Sequence, residues 1–194
     1  KLKIKRDNSN HKKLSGFKKI NLSNTKNVNI NNNFISFYTK KFILKLNLKK
    51  GLTIDQFTDK TISKNPLFGT IYQGQLDYLE NMSDYYSGHF NLFLYNNLKK
   101  ITDISIQDLK LNLFKKNSQT YLLTSKFKFT ELGTVEKSIE INLKKREIYL
   151  RFKFKKIAPA ILRLFNISLT PKSFNSKKLY FSTNNGGKKM EHFE

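Results

Sequence analysis

The sequence predicts an all-β protein, an antiparallel β-sandwich preceded by a flexible N-terminal arm. Three observations carry this prediction. Apolar residues recur at every second position in many short segments, which is the pattern of half-buried strands. Short turns join these segments, and helical stripes do not alternate with them. Hydrophobic residues make up 38% of the 194 residues, with 17 Phe and 9 Tyr, which is enough for the core of one domain.

The first 33 residues differ in character from the rest. They are rich in Lys, Asn and Ser and show little periodicity, a composition typical of solvated segments. We therefore predict a flexible basic arm or linker at 1–33 and the β-sandwich domain at 34–194. The sandwich is expected to be truncated at its C-terminus.

The strand pattern begins after this arm and recurs to the end of the chain. Phe42, Leu44, Leu46 and Leu48 alternate before the turn "LKKG". The later alternating sets are Leu109, Leu111 and Leu113; Phe127 and Phe129; Val135, Ile139, Ile141 and Leu143; Ile148, Leu150, Phe152 and Phe154. Ile161 to Leu169 and "KLYFST" form two more apolar stretches, and the Pro residues of "IAPA" and "LTPK" fit strand boundaries.

The net charge of +23 has two interpretations. One is binding to a polyanion, as in a basic RNA- or ribosome-associated protein that holds phosphates through Lys. The other is a compositional bias, because Lys, Asn, Ile, Phe and Tyr are enriched together. The Lys residues are scattered, and Arg, the better bidentate phosphate ligand, occurs only at Arg6, Arg146, Arg151 and Arg163. We therefore favour compositional bias and keep a nucleic acid partner as the disfavoured alternative.

Other compositional features exclude several classes of protein. Cysteine is absent, so disulfides and thiolate metal sites are excluded, and a cytoplasmic location is expected. No apolar run is long enough to cross a bilayer, so no membrane partner is expected. His11, His89 and His192 lie far apart, and "NNGGKK" lacks the context of a phosphate-binding loop. We expect no metal and no cofactor.

One long polar segment, "PLFGTIYQGQLDYLENMSDYYSGH" (Pro66 to His89), interrupts the strand pattern. Asp77, Glu80 and Asp84 supply carboxylates, and its four Tyr residues are suited to stacking on sugar rings. Glycosidases place two carboxyl groups on opposite sides of the scissile bond, and acids on one loop tend to lie side by side. The pattern favours a packed polar turn that borders a sugar-contacting surface over a catalytic loop.

Several stretches together resemble one family. They are "NPLFGTIYQGQLDYLENMSDYYSGH", "KITDI", "VEKSIEINLKKREIYLRFKF" and "LRLFNISLTPKSFNSKKLYFSTNNGG". In this order they resemble the C-terminal β-sandwich region of bacterial proteins related to glycoside hydrolase family 57, from about residue 33 onward. The chain departs from the family pattern at "MSDYY" and at "TNNGG", where Asn184 replaces an expected His.

This resemblance implies a sandwich of the galactose-mutarotase-like kind, packed on the N-terminal catalytic barrel of a parent protein. Such parents act on α-glucans with retention, and the barrel carries their catalytic carboxylates. The chain would then be an accessory domain, structural or contacting an α-glucan or oligosaccharide, without its own catalytic site. The expected carbohydrate-binding residues are Asp77, Asp84, Tyr85, Tyr86 and His89. A free-standing mutarotase-like epimerase is a third possibility, with His89 as its acid or base.

Overall fold

The computed structural model describes residues 16–21, 25–72, 85–97, 99–106 and 109–174, and the backbone of 180–181 and 191–192. Its strands are β1 (Lys18–Ile20), β2 (Val28–Ile30), β3 (Phe34–Tyr38), β4 (Phe42–Asn47), β5 (Thr53–Asp59), β6 (Phe68–Gly69), β7 (Phe90–Leu94), β8 (Lys100–Thr102), β9 (Leu111–Asn117), β10 (Thr120–Phe129), β11 (Gly133–Asn142), β12 (Glu147–Phe154), β13 (Ala160–Leu164), β14 (Ser168–Leu169), β15 (Tyr180–Phe181) and β16 (Glu191–His192). Two short 3-10 helices, Asp103–Ser105 and Pro171–Ser173, accompany them within this part of the chain.

The strands form an antiparallel, all-β sandwich with two layers. One layer is a five-stranded sheet in the order β1-β9-β10-β11-β12. The other layer consists of a six-stranded sheet, β14-β6-β5-β4-β3-β2, and a three-stranded sheet, β13-β7-β8. Both of these pack against the five-stranded sheet through shared apolar clusters. The predicted fold class is confirmed.

The core is divided into two clusters along the five-stranded sheet. The first lies under the six-stranded sheet and contains Phe37, Leu44, Leu46, Leu123, Ile139 and Ile141. The second lies under the three-stranded sheet and contains Phe90, Leu92, Ile101, Phe127 and Val135. Along β4 and β11 most members alternate with more exposed neighbours, which is why a period of two in the sequence predicts these strands.

A buried lysine occupies the boundary between the two clusters. Lys137 lies on β11 between Val135 of the second cluster and Ile139 of the first, and it is fully buried. Its Nζ atom donates to the carbonyl oxygens of Gly51 (2.8 Å) and Gly88 (2.7 Å) and to Asp103 Oδ2 (2.7 Å). An ammonium group has three protons to donate, and these three acceptors satisfy all of them. Lys137 therefore joins the five-stranded sheet to both sheets of the other layer.

The structure departs from the sequence prediction at the N-terminal boundary. Lys18–Ile20 pairs with β9, and Val28–Ile30 pairs with β3. Part of the predicted arm therefore belongs to the sheets. Val28 and Ile30 already show the alternation of apolar residues, which resumes at Phe34. Residues 1–15 of the predicted arm lie outside the described residues.

The stretch from Ile161 to Leu169, predicted as one strand, forms two. Phe165 separates β13 from β14 with a φ angle of 62°, and β14 pairs with β6 of the six-stranded sheet. A positive φ ends an extended strand, so the chain changes sheets at this residue. Within the described residues no helix has the length and apolar character needed to span a membrane.

Candidate functional site

Several polar side chains are buried on the outer face of the six-stranded sheet, away from both core clusters. Asn47 is 7% exposed and Thr53 is not exposed at all, although Leu46 and Ile54 beside them face the core. Asn47 and Thr53 are register partners on β4 and β5. Polar residues on the outer face of an antiparallel sheet are normally solvated, so this spot is unusual.

A β-bulge places an acidic residue in the same cluster. On β5, Ile54 pairs with Leu46 and Gln56 pairs with Lys45, which leaves Asp55 as the extra residue. Bulges re-aim side chains in this way. Gly69 of β6 permits the arrangement, because a Cβ atom there would lie 2.2 Å from the Asp55 carbonyl oxygen. Thr70 continues the contact, donating from its N–H to that carbonyl at 3.1 Å.

The Asp55 carboxylate is the centre of this cluster, which we call the Asp55 cluster: Phe34, Lys45, Asn47, Thr53, Asp55 and Tyr72. Lys45 Nζ lies 2.9 Å from Asp55 Oδ2, and the Tyr72 hydroxyl donates to Asp55 Oδ1. Lys45 Nζ also lies 3.6 Å from the centroid of the Phe34 ring. Burial and the Asp55 carboxylate raise the pKa of Tyr72, so its hydroxyl stays protonated and acts as a donor.

The cluster combines an accessible aromatic ring with unused hydrogen-bonding capacity. Tyr72 is 53% exposed, whereas the Asp55 side chain beneath it is 7% exposed. The Thr53 hydroxyl is buried and has no hydrogen-bond partner among the described residues. Buried hydroxyls are normally satisfied. This one therefore has the capacity to bind an ordered water.

The residues predicted from the sequence fall into three places. Tyr85 is 39% exposed, and its carbonyl accepts from the N–H of Ile71, next to Tyr72. Tyr86 is 2% exposed, so its ring packs inside the protein and is not offered to solvent. Asp77 and Asp84 lie outside the described residues, as does Glu80. Among the predicted residues that the structure describes, Tyr85 is exposed and lies beside the Asp55 cluster. It is therefore available to a ligand there.

His89 is placed away from the surface. It is fully buried, and its Nε2 atom lies 3.1 Å from Asn91 Nδ2 and 3.5 Å from Asn166 Nδ2. Its Nδ1 atom has no hydrogen-bond partner among the described residues. Burial, followed by the charges of Lys137 and Lys100, lowers the pKa of His89 to about 3. The imidazole is therefore neutral at pH 7 and has no route to a ligand on the outer face.

The lowered pKa of His89 predicts acid sensitivity. A histidine with a pKa near 6.5 when unfolded and about 3 when folded binds its proton preferentially in the unfolded chain. The contribution of the neutral histidine to the free energy of unfolding is then fully present above pH 6.5. It is lost progressively as the pH falls toward 3. At pH 5 the loss should be about 2 kcal/mol, measured by urea unfolding.

The control for this prediction is His89→Gln, which cannot titrate. Its free energy of unfolding should be lower than that of the wild type at pH 7, but it should change less between pH 7 and pH 5. Equal pH dependence in the two proteins would assign the acid sensitivity to other groups.

Most of the Asp55 cluster was not predicted from the sequence. Asp55 stands in "GLTIDQFTD", where an acid between Ile54 and Phe57 breaks the strand alternation. That break was the available signal. Among the described residues, no three His, Cys, Asp or Glu side chains are grouped so as to hold a metal ion.

This chain has no match among the protein-family models, the curated proteins or the solved structures with which it was compared. The resemblance to glycoside hydrolase family 57 and the mutarotase-like form of the sandwich therefore stay predictions.

Proposed function

We propose that this chain is a ligand-binding β-sandwich domain that contacts a saccharide at the Asp55 cluster and has no catalytic site of its own. The observation that carries the proposal is the pairing of the half-exposed Tyr72 ring with the buried Asp55 carboxylate. An aromatic face suits the apolar side of a sugar ring, and carboxylate, amide and ammonium groups suit its hydroxyls.

The described geometry supports binding better than hydrolysis. A glycosidase of the usual kind needs two carboxyl groups about 5–9.5 Å apart. In the described part of the Asp55 cluster there is one carboxylate, and both of its oxygens are engaged, by Lys45 and by Tyr72. A carboxylate held in this way is suited to orienting a ligand and poorly suited to acid catalysis.

The resemblance to glycoside hydrolase family 57 narrows the proposal. On that basis the ligand is an α-glucan or oligosaccharide, and the partner is the catalytic barrel of a parent protein. The Asp55 cluster would then hold glucan for a neighbouring active site. This part of the proposal depends on the sequence motifs alone.

Titration with maltooligosaccharides tests the proposal. Tyr72→Ala should weaken binding by about tenfold, because an aromatic contact of this kind contributes about 0.5–1.5 kcal/mol beyond its buried area. Asp55→Asn should also weaken binding, since it removes the charge that orders Lys45 and Tyr72. Calorimetry or chemical-shift changes would report the affinity.

The matched control is Tyr149→Ala. Tyr149 is a tyrosine of similar exposure, 46%, on the outer face of the five-stranded sheet. The Tyr149→Ala variant should bind the saccharide with the affinity of the wild type. No binding by the wild type, or an equal loss in Tyr149→Ala, would contradict the proposal, and circular dichroism would confirm that each variant is folded.

A further inference from the structure

Three lysines line one pocket at the end of the sandwich where β8 begins and β10 ends. The pocket has a volume of about 250 Å³, and its polar lining includes Lys99, Lys100, Thr102, Ser105, Lys128 and Glu131. It belongs to the three-stranded and five-stranded sheets, whereas the Asp55 cluster belongs to the six-stranded sheet. The inference drawn from it is therefore independent of the saccharide proposal.

The charges in this pocket are predominantly positive. Three ammonium groups and one carboxylate line it. Lys99 Nζ lies 2.5 Å from Glu131 Oε1, and the hydrogen bond from Lys99 lowers the pKa of Glu131. Lys128 is exposed and forms no ion pair with any described residue. A concave site with excess positive charge concentrates anions.

Hydroxyl groups complete the lining. The Ser105 hydroxyl donates to the Thr102 carbonyl at 2.9 Å, and Thr102 Oγ1 accepts from the N–H of Ile104. Thr102 is buried and fixes the wall of the pocket, while Ser105 is exposed. Because the Ser105 proton is engaged in this way, the lysine ammonium groups are the donors that the pocket offers to phosphate oxygens.

An aromatic ring flanked by cations lies beside the pocket on the outer face of the three-stranded sheet. Phe93 is half-buried, with Lys100 Nζ 5.9 Å and Arg163 Cζ 5.5 Å from its ring centroid. Ile161, its register partner on β13, is 48% exposed. Lys100 belongs both to this aromatic face and to the pocket. Sites for single-stranded nucleic acid combine these features, with bases stacked on aromatic rings and phosphates held by cations.

We propose that the lysine pocket binds a phosphate group and that Phe93 and Arg163 contact the adjoining base of a single-stranded RNA. The chain brings these groups together from β7, β8, β10 and β13. One of the four Arg residues, Arg163, lies on the same face.

Binding of a labelled oligouridylate by fluorescence anisotropy, with inorganic phosphate as a second ligand, tests this proposal. The variant is Lys100→Gln/Lys128→Gln. Loss of two phosphate contacts should weaken RNA binding roughly 10- to 30-fold near 0.1 M salt. It should also reduce the slope of log K against log salt by about 0.7, the contribution of the one phosphate group that the pocket holds on a single strand.

The matched control is Lys144→Gln/Lys145→Gln. These exposed lysines lie in the turn between β11 and β12, at the opposite end of β11 from the turn that holds Glu131. The control removes the same amount of positive charge from the protein. It should change the affinity for RNA by less than about twofold, an effect that comes from the weaker overall electrostatic attraction. Lys128→Gln alone, an exposed change on a strand, should weaken binding about fivefold and guards against misfolding of the double variant.

The outcomes separate two sources of the phosphate group. Selective loss of oligouridylate binding in the pocket variants supports RNA as the ligand. If inorganic phosphate raises the melting temperature of the wild type and not of the pocket variants, while RNA binding is unchanged, the site takes a small anion. Equal losses in the pocket and control variants, or no binding of either ligand by the wild type, would overturn the proposal.

Discussion

Lys137→Met is expected to destabilise the protein by about 3–5 kcal/mol, the cost of removing one partner from a buried ion pair. Lys137 and Asp103 have fully buried side chains that lie 2.7 Å apart. Burial lowers the pKa of Lys137 and raises the pKa of Asp103, so neither charge is stable there without the other. Methionine would leave the Asp103 charge and two carbonyl oxygens without their donor. Urea unfolding followed by far-UV circular dichroism would measure the loss.

Two further variants separate the pair from its surroundings. Lys153→Met changes an exposed lysine on the neighbouring strand β12 and should alter stability by less than about 0.5 kcal/mol. Lys137→Met/Asp103→Leu removes both charges and should be no less stable than Lys137→Met alone. The difference in stability between Lys137→Met and the wild type should also shrink as the pH falls, because protonation of Asp103 removes the unpaired buried charge. A loss of less than 1 kcal/mol in Lys137→Met would contradict this account.

The strands could be predicted from the sequence because their signal is local. Alternating Leu, Ile and Phe residues mark β4, β11 and β12, and each of these strands lies where the alternation places it. Lys137 shows the limit of this approach. It lies on the apolar face of β11, between Val135 and Ile139, where the pattern calls for a hydrophobic residue. The pattern indicates that the position is buried but does not identify Asp103 as its partner.

The candidate site depended on contacts that no local pattern contains. Asp55 meets Lys45 because of the register and the bulge between β4 and β5. Register between strands is set by side-chain packing across the whole face, so a single sequence does not reveal it. For His89 the local sequence context predicted the wrong environment. The sequence predicted that His89 contacts a sugar at the border of a packed polar turn, whereas the fold buries it beside Asn91 and Asn166.

These placements change how the saccharide site is best tested. Tyr86 and His89, both expected from the sequence to contact sugar, are 2% and 0% exposed. Replacing them with alanine would open cavities in the protein, so a loss of binding would not distinguish contact from misfolding. Tyr72 and Tyr85 are exposed at the same region and give a cleaner test. The saccharide site is therefore best tested by substituting these exposed tyrosines.

Gly51→Ala should destabilise the protein by more than about 4 kcal/mol, a loss that only steric conflict in the core or comparable defects produce. Gly51 has a φ angle of 61°, and its backbone packs against the strand-to-helix junction at Asp103. An added Cβ atom would lie 2.0 Å from the Asp103 carbonyl oxygen. Because the obstacle is backbone, relief requires Asp103 to move, and this would also displace the acceptor of Lys137. Chemical unfolding, or loss of soluble folded protein, would report the effect.

Gly133→Ala is the matched control, because it isolates the cost of the backbone conformation. Gly133 also has a positive φ angle, 65°, but nothing lies within 4 Å of the position that a Cβ atom would take. Its replacement should cost about 1 kcal/mol, the penalty for an L-residue in the left-handed region. The difference between the two variants then measures the close approach of the β4–β5 turn to Asp103. Equal, small losses in both would mean that the turn can move away from Asp103, and that Lys137 does not hold the two layers in one fixed arrangement.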